Sequence, residues 1–328
     1  MRKVRRISDD DAYEMFKAFR WAEHGGKPIC PHRECRSFDI YDLVINRRTK
    51  NGPVPTKLFK CAGCRRQFSI TSGTILASRK LPLADYIFAI ALYVNNVKGH
   101  AALVMCRNLY VQSKSAFVLL HKLREAVATL NETRILDSVY GVEIDGAGFG
   151  GVRRQKNLVK ERRHGKTVLE KRQAGVVMRE RGPGGIARTV TVRSEHLGVD
   201  HVRAGVKPGS VIYADDAAHW NALAAEYDLR TVNHTQFGFV SAEANTNLAE
   251  SFWSRARRSQ YGIHHRISGR NVNAYLQEMT WRENNRRVSN GEQFNQILTA
   301  VTHLPVSREC SPRRPHTPAR SGRGGRRA

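Results

Sequence analysis

Between Pro82 and residue 130 the apolar positions recur at helical spacing, and from Ser138 the period changes to alternation and short solid runs. Residues 8–22, SDDDAYEMFKAFRWA, predict a short helix with an acidic first turn. Residues 28–72 carry strand-like runs such as FDIYDLVI. Pro82 opens a helix over LADYIFAIALYV, apolar on most faces, which Gly99 ends. AALVMCRNL and SKSAFVLLHKLREAVATL follow as two helices with a turn near Tyr110; in the second, Phe117, Leu120, Leu123 and Val127 recur at helical spacing. Then VYGVEID, a longer alternating stretch TVLEKRQAGVVM, ARTVTV and SVIYAD predict strands. HWNALAAEY predicts a helix, RTVNH a short strand, and 246–259 and 269–287 two more helices. No internal repeat is visible.

Three strands, a connection, a strand, a helix, a strand and helices make an α/β order. With an acid ending two of the strands, it builds as a ribonuclease-H-like layer sandwich. The chain has 328 residues, 41% of them hydrophobic, enough for two or three domains. Charge adds a partner: 55 Lys and Arg against 29 Asp and Glu give a net +26. Such a balance points to a polyanion, because neutralising phosphates releases counterions. Acidic lipid would also attract it, but no apolar run approaches the roughly 20 residues that span a bilayer. Met1 to Glu14 is charged throughout, unlike a secretory signal. A cytoplasmic, nucleic-acid-associated protein is the expectation.

Four of the six cysteines are paired. Cys30 and Cys35 form C-x4-C, Cys61 and Cys64 form C-x2-C with Gly63 on the turn, and about 25 residues separate the pairs. Two such knuckles, each after a strand, suit one structural zinc in a ribbon; His32, inside the first, is a possible substitute for one cysteine. Cys106 and Cys310 read as bystanders. KGHAALVMCRNLYVQSKSAFVLLHKLREA reads as a helix-turn-helix whose second helix opens with Gln112, Ser113 and Lys114, placed to meet base edges and phosphates; an ordinary antiparallel helix pair has the same pattern.

GVEIDG and SVIYADD each end a buried strand with an acid, Asp145 and Asp215. Asp also caps strand-end turns for purely structural reasons. Glu250, 35 residues after Asp215 at the start of a helix, supplies a third acid. Two strand-borne aspartates and a helix-borne acid can hold two divalent cations, one activating a water or 3′-hydroxyl and the other stabilising the leaving oxygen. Trp253 could stack on a displaced base, but a core position is favoured, since Phe252 and Trp253 are adjacent and not both expected to face inwards. His234, His264 and His265 read as phosphate contacts or structural residues. Arg153, Arg154, Lys156, Lys160, Arg162, Arg163 and Lys166 form a basic run just after Asp145, either a solvated loop or a DNA contact. The end of the chain, SRECSPRRPHTPARSGRGGRRA, has seven Arg and one Glu; it reads as a disordered tail or a basic arm on DNA.

These blocks resemble a known family, the bacterial insertion-sequence transposases of the DDE type with an amino-terminal zinc ribbon. The resemblance runs from CRRQFSITSGTIL through KGHAALVMC…SKSAFVLLHKLRE, VEIDGAGFGG, IYADDAAHW and NTNLAESFWSRARR to YGIHHRISGRNVNAYLQEMTWRENNRR, roughly residues 25 to 287. It implies a ribonuclease-H-like catalytic domain, Mg²⁺- or Mn²⁺-dependent cleavage at element ends, and joining to target DNA. Asp145 matches the first catalytic aspartate and Asp215 the second. The third position is often read as the Asn of T-N-x-x-E-S, here Asn247, while Glu250 matches the Glu of that motif; residues three apart share a helix face. Arg257 stands where the family has Lys, and Arg258 adjoins it. The acid usual after the first catalytic Asp is Gly146 here, and the first knuckle is C-x4-C.

The resemblance also implies double-stranded DNA partners, namely terminal inverted repeats and target DNA, a homo-oligomer pairing two ends, and a place at the bacterial nucleoid. The expected division is 1–24, an N-terminal helical segment; 25–78, the ribbon; 79–135, the helical DNA-binding region; 136–290, the transposase domain; and 291–328, the basic tail. Two rival readings stay open: a catalytically silent DNA-binding regulator derived from a transposase, and a metal nuclease acting without strand transfer. The intact Asp145, Asp215 and Glu250 favour the transposase.

Overall fold

The computed structural model describes residues 7–49, 52–131, 133–149, 172–232 and 245–307. Ser8 starts the first helix. Its hydroxyl accepts from the Asp11 amide at 3.0 Å and the Asp11 carboxylate receives the Ser8 amide, a capping box that fixes α1 (Asp9–Arg20). β1 (Ile40–Thr49) and β2 (Gly52–Cys61) pair antiparallel in unbroken register from Ile40↔Cys61 to Thr49↔Gly52, and β3 (Gln67–Phe68) joins β2. Helices α2 (Leu83–Asn95), α3 (Ala102–Leu109) and α4 (Ser113–Leu130) follow where the periodicity places them.

All of these elements share one hydrophobic core, in which Phe16, Phe59, Ile87 and Leu120 meet. The ribbon is therefore packed into the helices, and α1 is part of the same body. So is the last helix. Residue 291 was expected to begin the basic tail, yet α8 (Asn290–His303) stands there, opened by a second capping box between Ser289 and Glu292. Its Ile297, Leu298 and Val301 are buried at helical spacing, and that apolar face outweighs the polar composition around it. The expected tail beyond residue 307, with Cys310, lies outside the described residues.

The second body is a five-stranded sheet in the order β6-β5-β4-β7-β8. β4 (Val142–Phe149), β5 (Gln173–Glu180) and β6 (Ala187–Val192) run antiparallel; β7 (Val211–Asp215) is parallel to β4 and β8 (Asp228–Val232) parallel to β7. Even-numbered residues of β4, Val142 and Ile144, pack towards Val199 and Val202 of α5 (Gly198–Gly205). Odd-numbered ones, Ala147 and Phe149, pack under α6 (Asn247–Ser259) and α7 (Val272–Asn284). Helices thus cover both faces, the ribonuclease-H-like layer sandwich that the sequence predicts.

Three local expectations change. β5 is buried on both faces from Ala174 onward and so shows no alternation. HWNALAAEY gives only a 3-10 turn, Ala218–Leu223; its buried anchors Trp220 and Leu223 are three apart, the 3-10 period. Phe252 and Trp253 are both buried, because Gly175 leaves the space that the Trp253 ring fills and Phe252 turns edge-on to it at 5.1 Å. Among the described residues no helix is long and apolar enough to cross a membrane.

The two bodies join through α4 and α7. Arg124 and Glu278, each 1% exposed, pair at 2.7 Å, and Arg282 binds the same carboxylate at 2.9 Å. Burial alone would raise the Glu278 carboxyl, but Arg124 and Arg282, with His264, hold it down at about 2. The Arg124 guanidinium also lies 4.0 Å from the Tyr275 ring centre. Breaking such a pair leaves an uncompensated buried charge. Glu278→Gln should therefore cost about 3–5 kcal/mol in denaturant unfolding. Lys57→Ala, which breaks the exposed pair with Asp10, should leave the midpoint where it was.

Candidate active site

The paired thiols come together. Cys30 and Cys64 sulfurs stand 3.7 Å apart, Cys35 and Cys61 3.5 Å, and all four lie within 4.8 Å of one another. Four sulfurs around a zinc with bonds near 2.3 Å should be separated by roughly 3.8 Å, so the set fits a structural zinc. Both turns are built alike despite their different spacing. Arg36 and Arg65, each one residue after a cysteine, take left-handed backbone at φ 49° and 57°. In the longer turn the Cys35 and Arg36 amides both donate to the His32 carbonyl, which takes up the extra residues. The His32 side chain is outside the sulfur group. The Cys64 backbone amide lowers the Cys61 thiol to about 7, whereas burial pushes the Cys30 thiol up to about 12.

Asp215 ends β7 as expected, whereas β4 runs four residues past Asp145 to Phe149, held by its antiparallel pairing with β5, so Asp145 lies within its strand rather than at its end. β4 and β7 pair in parallel with Val142 opposite Ile212 and Glu143 opposite Tyr213, an offset of 70 (212 − 142). The pairing stops there; Asp145 and Asp215 each lie two residues further along, near enough for the Asp215 charge to act on Asp145. Side chains alternate along a strand, so Asp145 shares a face with Ala147 and Phe149, the face that α6 covers. Glu250 sits in the first turn of α6, where the helix dipole favours an anion, and its carboxylate accepts the Thr246 hydroxyl at 3.0 Å. Asn247 is the first residue of the same helix; both it and Glu250 are exposed.

Burial first, then the charges of Asp215, Glu250 and Glu195, raise Asp145 to about 7, against the amide of Gly146, which donates to it at 2.7 Å. Glu195 is the acid that sequence reasoning missed. It lies in a 3-10 turn, Glu195–Leu197, ahead of α5, far along the chain. A Cβ on Gly146 would lie 2.5 Å from its carboxyl carbon, so the glycine leaves the space that the Glu195 carboxyl occupies. The signal was a departure beside the first aspartate, but nothing local said where its replacement came from. Asp145, Asp215 and Glu250 do not close up as the sulfurs do: among the described residues only the four cysteines form a ligand group within 4.8 Å. Hard oxygen donors gathered about one unneutralised carboxylate still suit divalent cations, which two-metal chemistry holds some ångströms apart.

The expected DNA contacts fall in two exposed places. Gln112, Ser113 and Lys114 open α4 beside the left-handed Tyr110 turn, with Leu103 and Tyr110 exposed nearby. Arg257 and Arg258 are exposed on α6, Arg257 two turns beyond Glu250. Arg153, Arg154, the rest of their basic run and His234 lie outside the described residues. His264 packs on Tyr275 at 4.6 Å and burial lowers it to about 4, so it is a structural residue. Trp253 belongs to the core.

Residues 138–284 match the family model described as the ISXO2-like transposase domain, and residues 7–67 match the transposase zinc-ribbon domain. The second match takes in α1 as well as the ribbon, as the shared core does. No curated protein and no solved structure matches the chain.

Two outcomes follow for the metal-free and zinc-loaded protein. Elemental analysis should find one zinc per chain, retained in His32→Ala and lost in Cys61→Ser or Cys64→Ser; retention by the serine variants would refute the four-thiolate set. Asp145 binds its proton more tightly folded than unfolded, so its contribution to stability is present below pH 4 and fades as pH rises to about 7. Chemical unfolding of metal-free protein should show that decline, and Asp145→Asn should flatten it. Saturating Mg²⁺, if Asp145 is a ligand, should also flatten it, since a divalent cation would favour the ionised carboxylate.

Proposed function

The chain belongs to the insertion-sequence transposases of the DDE type that carry an amino-terminal zinc ribbon, and on that premise we propose that it binds the ends of a mobile element and catalyses metal-dependent strand cleavage and strand transfer. The observation that supports the reading is that Asp145 and Asp215 stand on adjacent parallel strands, near enough, with Glu250 of the covering helix, for their charges to act on Asp145. Asp145, Asp215 and Glu250, with Asn247 as competitor or companion to Glu250, would hold two Mg²⁺ or Mn²⁺ ions. When bound, such ions activate the attacking oxygen and stabilise the leaving one.

The protein's own residues do the rest. The strands hold the two aspartates in fixed relation, so little reorganisation accompanies reaction. Glu250 is preset by Thr246. Arg257 can grip a phosphate bidentately along the same helix, with Arg258 beside it. Gln112, Ser113 and Lys114 are exposed at the start of α4 for duplex DNA, and Arg153 and Arg154, outside the described residues, would add positive charge for the same partner. Two ends must be brought together, which suits a homo-oligomer on DNA.

A Mg²⁺ or Mn²⁺ cleavage and strand-transfer assay on DNA bearing the element's terminal inverted repeats tests this. Asp145→Ala and Asp215→Ala should each keep end binding but lose roughly a thousandfold in cutting, a loss of several kcal/mol in transition-state stabilisation. Between Asn247→Ala and Glu250→Ala, the variant that stops cutting while sparing binding identifies the third ligand. Wild-type protein that binds ends but never cuts with either metal would favour a regulator and sink the reading.

A further inference from the structure

Asp145 has a second acid beside it on the same strand face. Glu143, two residues earlier, is 1% exposed, yet its oxygens are all engaged. Oε2 accepts the backbone amides of Leu248 at 2.7 Å and Ala249 at 3.0 Å, and Oε1 accepts Arg181 Nε at 2.8 Å. Leu248 and Ala249 are in the first turn of α6, whose free amides normally go to the residue that precedes the helix. That residue, Thr246, makes no such bond, because its hydroxyl is given to Glu250. A strand acid therefore caps the helix, and an anion there also meets the positive end of the helix dipole.

Arg181 completes the clamp. It donates to the backbone carbonyl of Asn245 and to the Asn245 side-chain oxygen at 3.2 Å, just ahead of α6. Its guanidinium also lies 3.4 Å from the ring centre of Tyr213, two residues before Asp215. The strand of Asp145, the strand of Asp215 and the helix of Asn247 and Glu250 thus meet at one buried ion pair. With three donors on its two oxygens, Glu143 is not offered to a cation.

The geometry points to Glu143 and Arg181 as positioning residues that set the third-ligand helix against the two aspartate strands; this rests on the transposase reading only in taking those acids as the cation site. Mn²⁺ binding to the full zinc-loaded chain, followed by calorimetry, measures it without DNA. Glu143→Gln keeps the shape but removes the charge and one acceptor, and should weaken Mn²⁺ binding about tenfold, the usual scale for a group that orients a ligand. In a Glu250→Ala, Asn247→Ala background the same change should cost less than about threefold, because the helix then has no ligand to place. Arg181→Lys keeps the charge but loses the fork, and should move Mn²⁺ affinity in the same direction even if Glu143→Gln fails to fold.

Unchanged Mn²⁺ affinity in folded Glu143→Gln, or in Arg181→Lys, overturns the inference. So does an equal loss in both backgrounds, the sign of general damage. Failure of the transposase reading looks different: Mn²⁺ binding that depends on Asp145, with no cutting of DNA.

Discussion

A carboxylate taken out of water must be met by donors or by a cation, and this constraint organises the molecule. The buried acids obey it. Glu143 has Arg181, Glu180 has Arg134, Glu278 has Arg124 and Arg282, and Glu283 has Arg179, Arg255 and Arg286. Asp145 does not. Among the described residues it is met by one backbone amide, and its charged neighbours are acids. In a chain with a net charge of +26, arginines were available to neutralise it. Under the proposed reading its counter-charge would be a bound cation. Glu143 and Asp145, two residues apart on one strand face, show both outcomes of the same constraint.

The buried pairs also decide what is rigid. Arg124 and Glu278 fasten α4 to α7, and α7 lies with α6 over the sheet. The exposed start of α4 and the acids on the sheet are therefore parts of one packed structure. Because a buried ion pair is costly to break but often no more stable than apolar packing, its contribution here is to fix one arrangement. The three short-range devices at the site act similarly: the Thr246 hydroxyl on Glu250, the Gly146 amide on Asp145, and Glu143 on the α6 amides.

The strands that carry Asp145 and Asp215, the helices up to Leu130 and the four sulfurs were legible in the sequence because each signal is local, a period or a spacing; the end of β4 was not, since its pairing with β5 carries it past Asp145 to Phe149. What was not legible is non-local. Glu195 and Gly146 are 49 positions apart (195 − 146), and only the fold brings them into contact. Glu143 reads as one more polar position in a strand until the α6 amides are seen above it. The packing of Phe252 and Trp253 depends on a glycine in another strand. Helix α8 was missed for a different reason: the arginine-rich end of the chain drew the tail boundary too early, across a capping box and a buried stripe at helical spacing.

The competition between Asn247 and Glu250 concerns reach rather than charge. Asp145 feels Glu250 whichever residue touches an ion, so the negative charge of Glu250 belongs to the site in either case. Asp145, Asp215, Glu250 and Glu195 when ionised carry four negative charges, which the two divalent cations of the proposed reading would balance. An amide at position 247 adds an oxygen without altering that sum, whereas an acid there would leave the site over-charged. On the proposed reading Gly146, Glu195 and Asn247 would be connected: Glu195 stands against Gly146, where the family resemblance expects an acid, and with Glu250 already charged the start of the helix would have no need of another.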